Sequence, residues 1–392
     1  MNYILFDDSN RNNLLPFTFT RPVADIRVGI MTLRQKWEFF LKQKTYSITE
    51  KYLSKKFPLN IEDDNTLING SVFPSLQLVN EIKALGKDET LYYDGKIIAF
   101  RTGREMSEKF QIPRGKSTNS KQNVKFLSAL WQIFTLNPWA VNEDFILITG
   151  GRKSQPLSDT NFVTGNKNLI FLEEGAKAEY TFLNTTGGPI YIGKNAEIME
   201  GSKIRGPFAL CEHSIIKMDA KIYSGTTIGP WSKAGGEINN SVIFGFSNKA
   251  HDGFLGNSVL GEWCNIGADT NVSNLKNTYD HVKLWSYSQQ RFVDTGEQFC
   301  GLMLADHSKT GINTMFNTGT VVGVNANIFG DGYQRNYIPS FSWGGPQGYK
   351  KFNLQKAFQV AEAVFKRRNR IFDDTEKEIL THLYNDIRYV KK

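Results

Sequence analysis

The stretch SNKAHDGFLGNSVLGEWCNIGADTNVSN (247–274) sets one titratable pair, His251–Asp252, inside a run spaced by six: Asn248, Phe254, Leu260, Ile266 and Val272. An imidazole with its ordinary pKa, near about 6.5, exchanges a proton close to neutral pH, which makes His251 the candidate general base. A second stretch, NRNNLLPFTFTRPVADIRVG (10–29), carries Arg11, Arg21 and Arg27 between an expected strand and an expected helix. Guanidinium groups grip phosphate oxygens two at a time, so the three together form a candidate phosphate site. Asp7, Asp8 and Asp25 are candidate ligands for a hard cation, but each would equally suit the cap of a turn, and the metal stays unknown. The bland alternatives are a loop histidine and surface arginines without a ligand. Cys211, Cys264 and Cys300 lack CxxC spacing, which argues against a disulfide framework or structural zinc. Cys264, inside an aliphatic repeat, reads as a small core residue.

The repeat has to position the histidine. Ile192, Ile198, Ile204, Leu210, Ile216, Ile222 and Ile228 recur at strict six-residue intervals. Neither the 3.6 period of a helix nor the 2 period of a half-buried strand keeps that register. A short strand and a turn, repeated every six residues, does keep it. Three hexads then close one triangular coil, with Ile192, Leu210 and Ile228 stacked on one inner face, and coils gain stability only by stacking. The phase slips within KAGGEINN (233–240) and resumes at Val242; a non-repeating stretch, 275–310, precedes a last cluster at Phe316, Val322 and Ile328.

Upstream the pattern changes. NYILFD and TLING read as strands, VGIMTLRQKWEFFLKQ (28–43), PSLQLVNEIKAL (74–85) and VKFLSALWQIFTLN (124–137) as helices, and TLYYDGKIIAFR (90–101) as a hairpin around Asp94–Gly95. NEDFILITGG (142–151) is expected as a closing strand. Such alternation indicates an α/β layer fold. The expected division is an α/β domain over 1–150, a junction and repeat start over 151–190, the repeat over 191–345, and a helical segment over 350–392. Its two helices would cap the coil or clasp a neighbouring subunit.

With 392 residues, 40% hydrophobic and 22% charged, the chain can bury a large core. No apolar run approaches the roughly 18–20 residues of a membrane span, and MNYILFDD bears acids where a secretion signal is basic, so a cytoplasmic location without membrane contact is expected. The net charge of +8 suits nucleic acid or a phosphorylated small substrate equally well, so charge alone decides nothing. Nucleic acid is not an expected partner, because aromatic and basic residues do not interleave on any one face.

The repeat region, about 190–330, resembles the left-handed parallel β-helix of hexapeptide acyltransferases, above all the acetyltransferase half of the bifunctional enzyme that makes UDP-N-acetylglucosamine (GlmU). That family carries a run like SKAGHLTYLGD, then NIGAG, then NYDG; here SNKAHDGFLGN (247–257), NIGAD (265–269) and NTYDHVK (277–283) follow in the same order. The resemblance places His251 at the catalytic base that frees an amino-sugar nitrogen to attack acetyl-CoA. It also places Lys221, Asn265, Ala268, Tyr279 and Asp280 at sugar or acetyl-CoA contacts, and implies a homotrimer with sites between subunits. Phe254 replaces a substrate-binding tyrosine and Asn239–Asn240 a lysine pair, which puts the acyl acceptor in doubt.

Residues 10–29 resemble an eroded sugar-nucleotidyltransferase signature, as in GlmU-like proteins of Bacteroidetes-type bacteria, where a reduced nucleotidyltransferase domain precedes a β-helix. This implies a sugar-1-phosphate, a nucleoside triphosphate and Mg²⁺ as ligands, with the arginine triple replacing the glycine-rich phosphate loop. Ser71 stands where relatives have a metal-binding aspartate. The resulting expectation is a transferase of nucleotide-sugar biosynthesis. Two alternatives remain: a nucleotidyltransferase with a purely structural β-helix, using UTP or dTTP, and a non-catalytic sugar-nucleotide sensor.

Overall fold

The computed structural model describes residues 2–386. The chain forms two compact units, the first running to Ile26 and again over Met31–Ala129, the second comprising Arg27–Ile30 and the chain from Leu130 on. In the first, six strands stand in the spatial order Tyr46–Ile48, Asn2–Phe6, Asp64–Asn69, Lys96–Gly103, Thr90–Tyr93, Ser117–Asn119. Asn2–Phe6 pairs in parallel with both neighbours. All five of its residues are buried, which is why Tyr3–Phe6 runs hydrophobic rather than alternating, while the buried Asn2 amide donates to Asn65 Oδ1 (2.8 Å). The hairpin turns at Asp94 and Gly95, both at positive φ, as a tight two-residue turn requires.

Three expectations are corrected here. The helix expected over 28–43 spans only Leu33–Leu41, because Thr32 caps it in a reciprocal box with Gln35. Residues 124–137 are not one helix: Phe126 bridges Val72 in extended form, and the one short helix Gln132–Thr135 is separated by Leu136 from the next, which begins at Asn137. The strand expected over 142–151 is part of a helix, Asn137–Thr149, which starts with a proline in its first turn. Ala140, Val141, Asp144 and Phe145 share its buried face while Ile146 is 70% exposed. The apolar run FILIT therefore serves a helix, and β-branched composition misled over so short a window.

The second unit is a parallel β-helix. Three faces hold sheets of nine, six and five parallel-paired strands, the five-strand face continued by further strands at its far end. The hexad aliphatics fill the interior: Ile192, Leu210 and Ile228 stand in adjacent strands, and Ile198, Ile204, Ile216 and Ile222 are buried in the same core. Past the slip the inner column shifts by one residue. Ile243 and Leu255, not Val242 and Phe254, continue the columns of Ile228 and Ile238, and Asn248 yields the inner place to Lys249. The non-repeating stretch is shorter than expected: a hairpin, Lys283–Ser286 with Arg291–Asp294, leaves the coil, which resumes at Leu302–Leu304.

Corners turn the chain from face to face. Along one edge Asn195, His213, Trp231, Phe246, Trp263, His307, Asn325 and Phe341 all have φ between 53° and 63°. Each amide from His213 onward bonds the carbonyl one turn back, as in His213 to Lys194 (2.9 Å), Trp231 to Glu212 (3.0 Å) and Phe341 to Val324 (2.8 Å). The helices Leu354–Lys366 and Asp374–Asn385 pack on this edge, with Phe365 stacked 3.8 Å from Trp263 and Tyr384 edge-on to Phe341. The part of the expected helical segment beyond Asp386 lies outside the described residues.

Truncating Leu210 to Ala should cost about 2–5 kcal/mol in urea unfolding, since close-packed neighbours on three faces cannot collapse onto the void. The exposed Lys177→Ala, two turns earlier in the β-helix, should change stability by less than about 0.5 kcal/mol.

Candidate functional site

His251 sits at the corner between Asn248–Lys249 and Phe254–Gly256. Its ring is exposed and, among the described residues, holds no hydrogen bond or ion pair. The backbone beneath it is tightly held. Gly253 takes φ +108°, and a Cβ there would collide with the backbone of Thr270, so the corner needs glycine. Asp269 N–H donates to the Asp252 carbonyl (3.1 Å), and Phe254 N–H donates to Asn271 Oδ1 (2.9 Å).

Lys249, which the sequence reading passed over, fastens this corner from inside. It is only 1% exposed, and Nζ donates to the carbonyls of Gly235 (3.0 Å) and His251 (2.8 Å), and more weakly to Asp252 (3.5 Å). Its strand partner is Ala234, whose small side chain leaves room for the lysine stem. Burial pushes its ammonium down to about 8, against the opposing pull of Asp252 and Asp269. The available signal was a lysine directly beside a repeat position, two residues before the histidine.

Asn265 and Ala268 belong to the next turn of the coil. Asn265 Oδ1 accepts from Asn248 Nδ2 (2.9 Å), and Ala268 is one residue before the Asp269 amide that holds the His251 corner. The structure therefore brings His251, Asn265 and Ala268 to adjoining turns. Lys221 lies on the face entered by Phe254, two strands away through Glu237, whose carboxylate is 4.0 Å from its Nζ. Tyr279 and Asp280 fall in the inserted loop, exposed, with Asp280 accepting from Thr278 (2.6 Å), and no hydrogen bond or ion pair among the described residues joins them to His251. Cys264 is a core residue, its thiol pushed up to about 12 by burial.

The three arginines divide between the units. Arg11, in the first, is buried against Asp7 (Nε to Oδ2, 3.2 Å) and also donates to the Thr18 carbonyl and Tyr52 hydroxyl (3.3 Å). Arg21 is buried in the same unit. Arg27 belongs to the second, donating to the carbonyls of Phe244 (3.1 Å) and Ile30. Beside it Gly29 and Ile30 amides are held by Asn137 Oδ1 (2.6 Å) and Asp144 Oδ2 (2.8 Å).

The acids do not form a cation site. Asp25 is locked bidentately to Arg34 (2.9 and 2.8 Å). Asp7 takes the Val23 amide, the Thr49 hydroxyl and Arg11, and burial raises its carboxyl to about 6. Asp8 caps the turn at Asn10 and accepts from Asn69 Nδ2 (2.9 Å), while Ser71 Oγ donates to Asn69 Oδ1 (2.8 Å). Among the described residues no three His, Cys, Asp or Glu side chains converge as a metal site. A guanidinium already fills the place a divalent ion would take on Asp7 and Asp25, so this set does not fit Mg²⁺. A cavity of about 600 Å³ beside Arg152, Ser154 and Asn168 contains none of these residues.

Fold and site together define an α/β unit joined to a parallel β-helix that presents an open histidine. Residues 3–153 match the family model for sugar nucleotidyl transferases. The chain is 28% identical over 281 residues to a bifunctional sugar-1-phosphate nucleotidylyltransferase/acetyltransferase of Sulfurisphaera tokodaii, a match covering 69% of this chain and 63% of that relative's length. It is 31% identical over 90 residues to the bifunctional protein GlmU of Methanococcus aeolicus, covering 23% of this chain and 21% of that one. Among solved structures it is similar to the polysialic acid O-acetyltransferase OatWY, at 16% identity and TM-score 0.26, covering 50% of this chain and 83% of that one.

The Lys249 ammonium gives a pH signature. Below about pH 8 it is charged in both folded and unfolded chains, and its burial cost is fully present; between about 8 and 10.5 only the unfolded chain holds the proton, so stability rises with pH. Wild type should therefore gain up to about 3 kcal/mol across that window relative to Lys249→Met, read from paired urea titrations at pH 7.5 and 10.5. Parallel slopes would show that the amine is not desolvated in solution.

Proposed function

We propose that the chain is a bifunctional transferase of nucleotide-sugar synthesis, of the kind that makes UDP-N-acetylglucosamine. Its β-helix transfers an acetyl group from acetyl-CoA to an amino sugar, and its first unit binds a sugar-1-phosphate and a nucleoside triphosphate. The observation that carries this reading is the His251 corner: an imidazole open to substrate on a backbone immobilised by Lys249, Gly253 and the next coil.

His251 takes a proton from the attacking amine as its nitrogen bonds the acetyl carbonyl carbon. The carbon–sulfur bond then breaks, and the leaving thiolate receives that proton as CoASH. Amide N–H groups of the coil are suited to hold the transient oxyanion. Asn265 and Ala268, on the adjoining turn, are the acetyl-CoA and sugar contacts of this reading, Lys221 supplies a cation for the acceptor's phosphate, and Tyr279 and Asp280 complete it from the inserted loop. A homotrimer, as the family resemblance implies, would bring the loop of one copy to the corner of another. Soluble small molecules are the substrates and the cytoplasm is the compartment; no helix among the described residues is long and apolar enough to cross a membrane.

Arg11 and Arg21 are the proposed phosphate contacts of nucleotidyl transfer in the first unit, a bound phosphate taking the place of Arg11's present partners. Arg27, in the second unit and committed to the carbonyls of Phe244 and Ile30, is left out, and no step is assigned to Mg²⁺. A narrower second reading, in which the first unit binds a sugar nucleotide without turning it over, is favoured by one observation: the guanidinium pairing of Asp7 and Asp25. Pyrophosphate release from UTP and a sugar-1-phosphate distinguishes the two.

His251→Ala should lower CoASH release at least about 100-fold, followed by thiol trapping with acetyl-CoA and an amino-sugar acceptor. Nucleotide chemistry in the first unit should continue unchanged. An undiminished thiol rate would remove the acetyl-transfer assignment.

A further inference from the structure

The six-strand face that ends at Phe254 carries two outward columns. In the first stand Phe162, Phe182, Lys203, Lys221, Glu237 and Phe254; in the second Thr164, Asn184, Arg205, Tyr223 and Asn239. The residues between them, from Leu183 to Leu255, face the core. Phe162 and Phe182 lie stacked at 5.1 Å and 13°, yet are 65% and 46% exposed. Lys203 Nζ reaches over the Phe182 ring at 5.5 Å. Arg205 has no hydrogen bond or ion pair among the described residues. Phe162, Phe182, Lys203, Arg205 and Lys221 line a groove of about 490 Å³ whose lining holds three cations and no carboxylate, with Glu237 next in the column, its carboxylate 4.0 Å from Lys221 Nζ. Aromatic and basic residues share this face because register brings together residues about twenty apart in the chain.

We propose that this groove seats a nucleoside diphosphate carrying an amino sugar, and that the acyl acceptor of the β-helix is this nucleotide-linked sugar rather than a sugar-1-phosphate. The proposal rests on the acetyl-transfer reading above. The base stacks on the exposed phenylalanine pair, a sequence-tolerant contact open to any base. The pyrophosphate lies between Lys203, Arg205 and Lys221, where guanidinium and ammonium groups match its charge. The sugar then passes Glu237 and Asn239 to reach the corner before Phe254. Phe182 and Phe254 are four strand steps apart, roughly 19 Å at about 4.8 Å per step, the reach of a base, two phosphates and a hexose laid end to end. The loss of a hydroxyl at Phe254 and of cations at Asn239–Asn240 fits, since the phosphates bind farther along the face. A second copy docked face to face about a twofold axis would set cation against cation. The reaction is the one described: the sugar nitrogen bonds the acetyl carbon, the carbon–sulfur bond breaks, and the amine proton leaves on CoASH.

The test is calorimetric titration of the full chain with UDP, ADP, uridine and pyrophosphate, in wild type, Arg205→Gln and Phe182→Ala, with melting curves to verify folding. Thiol release is then compared for a UDP-linked amino sugar and glucosamine-1-phosphate. The expected result is diphosphate binding weakened about tenfold in each variant, and a KM for the nucleotide-linked acceptor raised in Arg205→Gln with kcat retained. Unchanged affinity in Arg205→Gln overturns the proposal, because the nucleotide then sits elsewhere. Thiol release from glucosamine-1-phosphate alone overturns it while leaving acetyl transfer standing. Release from neither acceptor overturns both. Dissociation of an oligomer by Phe182→Ala, with nucleotide affinity unchanged, assigns the face to a second copy and overturns it too.

Discussion

Everything in the second unit depends on turning the backbone sharply at the edge of each face while keeping its amides paired. A left-handed backbone at the corner does the turning, and along the edge from His213 to Phe341 the amide of that residue bonds the carbonyl one turn earlier, so each corner of that edge is also a rung between turns. Gly, Asn and Asp occupy such positions at little cost. On one edge, however, His213, Trp231, Phe246, Trp263, His307 and Phe341 occupy them, where a bulky side chain strains the backbone. Stacking offsets that strain: His213 lies on Trp231 at 4.1 Å, Phe246 on Trp263 at 4.3 Å, and Phe365 on Trp263. The same ring stack that makes the corners tolerable is what the C-terminal helices grip.

Rigidity of this kind explains how a side chain can be both exposed and well placed. The His251 ring is exposed and holds no hydrogen bond or ion pair among the described residues, so its position comes chiefly from the backbone under it. Lys249 is the internal fastening, a buried cation whose desolvation is met by two carbonyls at hydrogen-bonding distance and one more remote. A charge so placed is costly, and its recompense is a corner that cannot swing away from the coil.

The first unit uses charge differently. Asp7 with Arg11, Asp25 with Arg34 and Asp64 with Arg101 pair within it. Arg11, Asp7 and Asp25, which read in sequence as members of a phosphate cradle and a metal site, are held in these pairs instead. Arg27 is the extreme case, tied through Phe244 and Ile30 into the unit that contains the coil.

Sequence alone determined the coil, because a period of six matches no other regular backbone and its aliphatic members, from Ile192 to Ile228, must face inward to be buried at all. It also determined the unusual place of His251, a titratable residue interrupting that period. Short-range composition could not settle whether FILIT was strand or helix, since burial of one face of Asn137–Thr149 overrode β-branched preference. Nor could it show the one-residue shift that turns Phe254 outward and Lys249 inward. Tertiary structure decided which of the charged residues met: pairing of Arg11 with Asp7, the reach of Lys249 to His251, and the gathering of Phe162, Phe182, Lys203 and Arg205 on one face. Asp7 and Arg11, like Lys249 and His251, are near neighbours in the chain, and it is the burial of their side chains that sets those contacts. The aromatic and basic residues are about twenty apart, and only the register of stacked strands brings them onto one face.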